Sequence, residues 1–544
     1  MRKFPLKISL FILVLLLAAC SNGETAGKEK NDNNDNNSTR SKDELVLSVS
    51  SEPESGFDPT IGWGHSASSI FQSILFKRGS DMEVKNDLAT GYKLSADRLT
   101  WTVTIRNDVT FSDGSPLTAD DVVYSYDTAR TNPESNVDLT MVESIKRVDD
   151  YTIDFVLKTP QSTFIDKLME IGIVPKKIHE ADPKGYAQKP IGSGPYVLKQ
   201  WDKGQQVVAE RNEKYYGEKP AFKKLTLVYL EEDAIMTALK AGEIDMAKIP
   251  TSLSATKVDG MKVQEIMSVE NQGIAFPIPE PHKVTKNGKE VPVGNAVTSD
   301  PAIRKAINIA VSREDMINGL LNGFGTPAYT GLEQMPWNND ALIIPDGDME
   351  GAKNLLADAG WKDSNGDGVL EKNGVDAAFD IIYTTNSEQR QALAVYLSEA
   401  LKELGLNITP VQKTWEEAEL LMHSQPIVLS WGEHSPQLVN QLYHSKFQGI
   451  EYNNTGFYAN KIVDTHIEDA LMAATSEEAN ELWKQAIYDG KTGFGYQGDA
   501  TWAWFMNTNH LYMMRDDLNI SIPKPQPHGG AILDNITEWK LTNE

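Results

Sequence analysis

A single cysteine, Cys20, stands in a chain of 544 residues, and its position constrains what the rest can become. Arg2, Lys3 and Lys7 precede an apolar run at 8–17, and Leu17, Ala18 and Ala19 lead directly into Cys20. A basic start, a short apolar stretch and small residues before a cut form the pattern of a secretory signal. The run falls short of the roughly 20 apolar residues that span a bilayer, and no later run reaches that length. Without a second thiol, the chain beyond Cys20 can build neither an internal disulfide nor a thiolate metal site. Its stability must come from burial. A hydrophobic content of 40%, with 11 Trp, 18 Tyr and 16 Phe, provides for a large core, and the length suits two or three domains. The net charge of −25 argues against nucleic acid, which is bound through basic patches. It reads as solubility outside the cell.

The stretch Leu17-Ala18-Ala19-Cys20 resembles the lipobox of bacterial lipoproteins. That resemblance implies a signal peptide at 1–19, diacylation of Cys20, and lipid anchoring at the extracytoplasmic face of the cell membrane. An ordinary signal peptide with an incidental cysteine is the alternative. Residues 20–43 then form the lipidated cysteine and a tether. Its Asn/Asp run at 31–38 is too polar to bury enough surface to fold.

Order is expected from a short alternating strand at 45–50. The sequence Ile61-Gly62-Trp63-Gly64-His65 is a glycine loop with an aromatic and an imidazole beside it, and a helix is expected over 66–76. Residues 101–106 and 151–157 alternate as strands. Thr118 followed by Asp120 and Asp121 caps a helix running to about Arg130. Asp300-Pro301 opens a helix through Val311. Gly360 ends another begun near Met349. A strand is expected at 379–383 and a helix over 477–488.

Several spaced stretches carry a family resemblance. They are Leu88-Ala89-Thr90-Gly91, the run 111–125 (FSDGSPLTADDVVYS), Pro190-Ile191-Gly192-Ser193-Gly194-Pro195-Tyr196 and Arg211-Asn212-Glu213-Lys214-Tyr215-Tyr216-Gly217. Further matches follow at 238–245, at 303–306, at 352–356 and at 359–361. Together, and in this order over nearly the whole chain after Cys20, they resemble the family 5 extracellular solute-binding proteins of ABC importers. The resemblance implies an α/β protein with a two-lobed periplasmic-binding-protein-like fold of type II, in the peptide/nickel class, with a ligand cleft between lobes. The first lobe is expected at 44–275 plus 500–544, with an inserted subdomain near 84–189, and the second at 276–499. It also implies no enzymatic activity, ABC importer permease subunits as partners and a monomeric state. No nucleophile elbow, zinc-hydrolase helix or phosphate loop speaks for an enzyme.

Two weaker patterns are set against this. Asp363-Ser364-Asn365-Gly366-Asp367-Gly368 starts like a calcium loop, but Gly374 stands where a bidentate Glu would close it. A polar hairpin loop is the plainer reading. Gly323-Phe324-Gly325 half matches a dinucleotide fingerprint, but follows a helix and precedes Pro327.

The candidate site rests on histidines. His65 lies on the glycine loop. His434 lies in Trp431-Gly432-Glu433-His434-Ser435-Pro436 after an expected buried strand, with His444 further on. His528 lies in a Pro/Gly turn near the C-terminus. His179, His282, His423, His466 and His510 sit in ordinary contexts. In peptide-binding relatives the strand end before Glu433 carries an Asp for the peptide ammonium. Here no Asp stands there, though Glu433 could replace it. A neutral imidazole is instead a common ligand of Ni, Cu, Zn and Fe. The resemblance to nickel-binding members is therefore the closer one, and implies Ni²⁺, alone or chelated by histidine or another small organic ligand. His65, His434, His528 and His444 are the metal candidates. Trp63, Trp431, Trp502, Trp504 and Glu433 are the candidates for contact with the organic part. A di- or oligopeptide ligand is the alternative.

Overall fold

The computed structural model describes residues 42–49, 51–64, 69–286, 288–385, 387–528 and 530–542. The expected signal peptide, Cys20, most of the tether and His65 lie outside the described residues. Among the described residues no helix is long and apolar enough to cross a membrane.

The strand read at 45–50 forms as Glu44–Ser48. Leu45 and Leu47 are fully buried while Val46 is half-buried between them, which is the period-2 pattern of a pleated chain. It pairs in parallel with Lys224–Val228 on one side and Met246–Ile249 on the other. Around it a seven-stranded sheet runs in the order Met261–Ile266, His510–Arg515, Met246–Ile249, Glu44–Ser48, Lys224–Val228, Gln206–Arg211, Tyr196–Asp202.

A four-stranded antiparallel sheet is inserted in the chain between Glu44–Ser48 and Tyr196–Asp202, in the order Ala89–Leu94, Thr100–Ile105, Thr152–Leu157, Val142–Asp149. Trp101, Val103 and Ile105 point into its core, and the threonines between them do not. Helix Ala119–Thr131 packs against it, opened as expected by a capping box in which Asp121 accepts from the backbone amide of Thr118 at 2.9 Å.

The third sheet has six strands, ordered Gly325–Pro327, Trp502–Thr508, Asn271–Ala275, Ile427–Trp431, Ala378–Thr384, Asn407–Lys413. Apolar clusters cover both of its faces. The chain crosses between the two large sheets at 266–271 and again at 508–510. Strands Asn271–Ala275 and Trp502–Thr508, read from sequence with the first lobe, hydrogen-bond within the six-stranded sheet. Both are buried along their whole length, so neither has the alternation that would assign it to one sheet.

Other expectations meet the structure closely. Asp300 caps helix Pro301–Ala310 by accepting from Ala302 at 2.9 Å. The helix from Met349 ends at Asp358, two residues before Gly360, which takes a left-handed φ of +91°. The helix read at 477–488 spans Ser476–Ile487. The helix read over 66–76 does not form in its described part. Residues 69–75 are irregular, and Phe76 opens the strand Phe76–Arg78. Their carbonyls serve neighbouring segments instead: Ile70 accepts from Tyr196, Phe71 from Gly194 and Ser73 from Ile173.

A candidate ligand cleft between the lobes

A cavity of about 590 Å³ opens between the segments of the first lobe and the loop after strand Ile427–Trp431. That loop is forced into position by Gly432. A Cβ there would stand 2.7 Å from the Val269 carbonyl and 2.8 Å from Glu270 Cα, closer than packed atoms allow. The Gly432 carbonyl accepts from the His528 amide at 3.1 Å, which draws the C-terminal turn against the loop. Glu433, His434 and Ser435 therefore face the cavity from one side. Lys524, Pro527 and His528 close its end, and Arg78, Asp166, Lys167 and Glu170 face it from the other lobe.

His434 Nε2 lies 2.8 Å from the Pro525 carbonyl oxygen. A carbonyl can only accept, so Nε2 carries the proton and Nδ1 keeps its lone pair. Burial, with Lys524 and Arg78 nearby, lowers the ring's pKa to about 3. It is neutral at any physiological pH.

His528 behaves differently. Its Nδ1 lies 3.1 Å from Glu270 Oε1, and its side chain is 63% exposed. The carboxylate raises its pKa. Glu270 also pairs with His510 at 3.3 Å. Burial pushes the Glu270 carboxyl up, but the hydrogen bonds from His510 and His528 outweigh it and bring it to about 2.

The facing wall carries charge of both signs. Arg78 pairs with Asp166, both side chains nearly buried, and Asp166 accepts from the Ser435 hydroxyl at 2.7 Å. Lys167 pairs with Glu170 at 3.0 Å. Burial nonetheless raises Glu170 to about 7, and Glu433 is raised from the same cause. Sequence reading did not single out Arg78, Asp166, Lys167 or Glu170. They sit in a short strand, a one-turn helix and the turn after it, whose charges look in sequence like an ordinary solvated face.

Of the residues singled out from sequence, Glu433, His434 and His528 come together at the cavity, and Gly64, beside Trp63, lines it too. His444 does not line it. It caps the turn Ser445–Phe447 by accepting from the Lys446 amide at 3.1 Å, with Asp464 and Glu468 about its ring at 3.3 and 3.2 Å. Trp502 and Trp504 stack at 4.4 Å inside the second lobe's core, and Trp504 Nε1 donates to the Tyr443 hydroxyl. They are packing residues. Trp63 lies edge-on to Phe57 at 4.8 Å in the first lobe's core. Trp431 packs against the second lobe's core. Among the described residues no group of three or more His, Cys, Asp or Glu is arranged to hold a metal ion. In the Asp363–Asp367 loop, the Asp363 carboxylate accepts from the amides of Gly366 and Gly368, which makes it a self-tied turn.

Comparison with known proteins agrees with this architecture. The profile of bacterial extracellular solute-binding proteins, family 5 Middle, matches residues 83–453. Protein XP55 of Streptomyces lividans is 31% identical over 511 residues, covering 92% of this chain and 90% of its own. The oligopeptide-binding protein AppA of Bacillus subtilis (strain 168) is 26% identical over 558 residues, covering 98% and 97%. NikZ from Campylobacter jejuni, solved in complex with Ni(L-His), superposes with a TM-score of 0.70 at 24% identity, covering 92% of this chain and 99% of that one. With its two lobes, its inserted sheet and its interlobe cavity, the chain belongs to the family 5 bacterial extracellular solute-binding proteins, and is a non-enzymatic substrate-binding protein of an ABC importer.

Proposed function

We propose that the cleft captures nickel as a chelate with a small zwitterionic ligand such as histidine, and presents it to the importer's permease subunits. The observation that carries this reading is the state of His434. It is a neutral imidazole at the cavity, its tautomer fixed by Pro525 and a lone pair left on Nδ1. Nickel takes imidazole nitrogen in tetragonal or octahedral sites. One protein nitrogen can complete the coordination of a metal that arrives already chelated. The cavity's volume exceeds what a bare ion fills, and its walls offer Arg78 and Lys524 to a carboxylate, and Glu433 and Glu170 to an ammonium. His65 is the partner imidazole this reading calls for. His528 is a weaker candidate, because its pairing with Glu270 favours the protonated ring.

A short peptide is the second reading, favoured by those same opposed charges, with Glu433 as the ammonium anchor. Isothermal titration separates the two. Ni²⁺ with L-histidine should bind where either alone binds weakly, and di- to pentapeptides should not compete. Saturable peptide binding with no response to nickel would select the second reading.

Two further parts belong to the proposal. Cys20 carries a lipid that holds the chain on the outer face of the cell membrane. Replacing it by Ser should move the protein from the membrane to the soluble fraction. The protein acts as a monomer whose lobes hinge at the two crossings, 266–271 and 508–510.

A further inference from the structure

Helix Lys461–Met472 belongs to the second lobe, and its last carbonyls have no partners within the helix itself. The inserted subdomain of the first lobe supplies them. The Ser162 amide donates to the Leu471 carbonyl at 2.6 Å, and the Ser162 hydroxyl donates to Ala470 at 2.7 Å. Arg98 Nη1 donates to the Met472 carbonyl. The Ala473 amide of the helix's own chain reaches Ala470 at 3.3 Å, and the other lobe supplies a second partner for Ala470 and the partners of Leu471 and Met472.

Three observations tie this contact to closure. Ser162 stands just before the short helix Phe164–Lys167, whose Asp166 faces the cavity and bonds Ser435 of the opposite lobe. One turn of chain therefore carries both the rim contact and the cavity wall. Arg98, in the turn between strands Ala89–Leu94 and Thr100–Ile105, is held at a φ of +61°, a left-handed conformation that long side chains rarely adopt. Its guanidinium also meets the negative end of the helix dipole. Finally, Met82, at the tip of the hairpin Phe76–Asn86, is buried in the second lobe's apolar cluster. The first lobe thereby grips the second at a further point.

We infer that Ser162 and Arg98 form a clasp that holds the lobes together by completing helix Lys461–Met472, so that the empty protein already populates the closed form. Opening leaves the Leu471 and Met472 carbonyls to water, and cargo adds to a closure that is partly made. The inference is independent of what the cargo is.

The test is a distance measurement on the ligand-free protein. The full chain carrying Cys20→Ser has no other cysteine, so Glu134→Cys on the inserted subdomain and Glu481→Cys on the helix after the clasp can be spin-labelled cleanly. Both sites are exposed. Pulsed dipolar spectroscopy should find a short-distance population in this protein. Adding Arg98→Gly, which suits the left-handed backbone, together with Ser162→Ala should reduce that population at least threefold. Each single change should give an intermediate loss, which keeps the test decisive should the combination fail to fold. A ligand-free protein showing only long distances, or folded variants whose distributions match the parent's, would overturn the clasp.

Discussion

The hydroxyl of Ser435, on the loop that ends the second lobe's central strand, donates across the cleft to Asp166 of the inserted subdomain at 2.7 Å. Asp166 is at the same time the counter-charge of the nearly buried Arg78. One carboxylate thus serves the integrity of the first lobe and its contact with the second.

The two duties can be separated by mutation. Ser435→Ala removes the bond across the cleft and the hydroxyl's acceptance from the Gln437 amide at 3.2 Å, and should lower ligand affinity roughly fivefold, about 1 kcal/mol, with a smaller loss of stability than Asp166→Ala. Asp166→Ala strands the Arg78 guanidinium without a counter-charge, and should destabilise the protein by about 3–5 kcal/mol. Titration calorimetry and thermal unfolding of the two variants check both.

Gly432 sets where the site's loop runs, because a Cβ would meet the Val269 carbonyl at 2.7 Å. Gly432→Ala should cost about 1–3 kcal/mol and weaken ligand binding more than Ser435→Ala does. Chemical denaturation with parallel binding measurements tests this. Equal binding to the parent would show that the loop tolerates displacement.

His434 makes the fold acid-sensitive. Its folded pKa of about 3 lies below the ordinary histidine value, so the unfolded chain binds the proton more readily. Stability should fall as pH drops from about 6.5 toward 3. His434→Gln should flatten that slope by about 2 kcal/mol at pH 4, after allowance for solvent. Denaturant midpoints of both proteins at pH 7 and pH 4 measure it.

Glu270 is shifted downward as His434 is, here by pairing rather than by burial. Burial raises it, but His510 and His528 bring its folded pKa to about 2, below the ordinary carboxylate value. The stability it contributes is complete above about pH 4.5 and is lost as pH falls from there toward 2. Glu270→Gln should lower stability at pH 6 by an amount on the order of 2–3 kcal/mol, with the gap to the parent closing at pH 2. A gap that stays constant across that range would contradict the pairing.

Much of the fold could be read from particular residues. The alternation of Leu45 and Leu47, or of Trp101, Val103 and Ile105, gave strands because a pleated chain buries every second side chain. Thr118 with Asp121, and Asp300, marked helix starts because the Asp121 and Asp300 carboxylates accept the amides of Thr118 and Ala302. The helix expected over 66–76 fails in its stretch 69–75 because local sequence says nothing of the distant amides that take its carbonyls. At the site, His434, Glu433 and His528 were visible as unusual residues on loops. Trp502 and Trp504 were not distinguishable from cleft aromatics, since two residues apart on a strand share one face whether that face is cleft or core. Arg78, Asp166 and Glu170 stayed hidden because their pairing spans up to 88 positions of sequence and exists only after folding.

The most direct test of the proposed function is calorimetric titration of the protein with Ni²⁺ and L-histidine together, run beside His434→Ala. Saturable binding of one chelate per chain, weakened at least tenfold in the variant, is the expected result. Equal binding by both proteins, or heat from peptides and none from the nickel chelate, would contradict it.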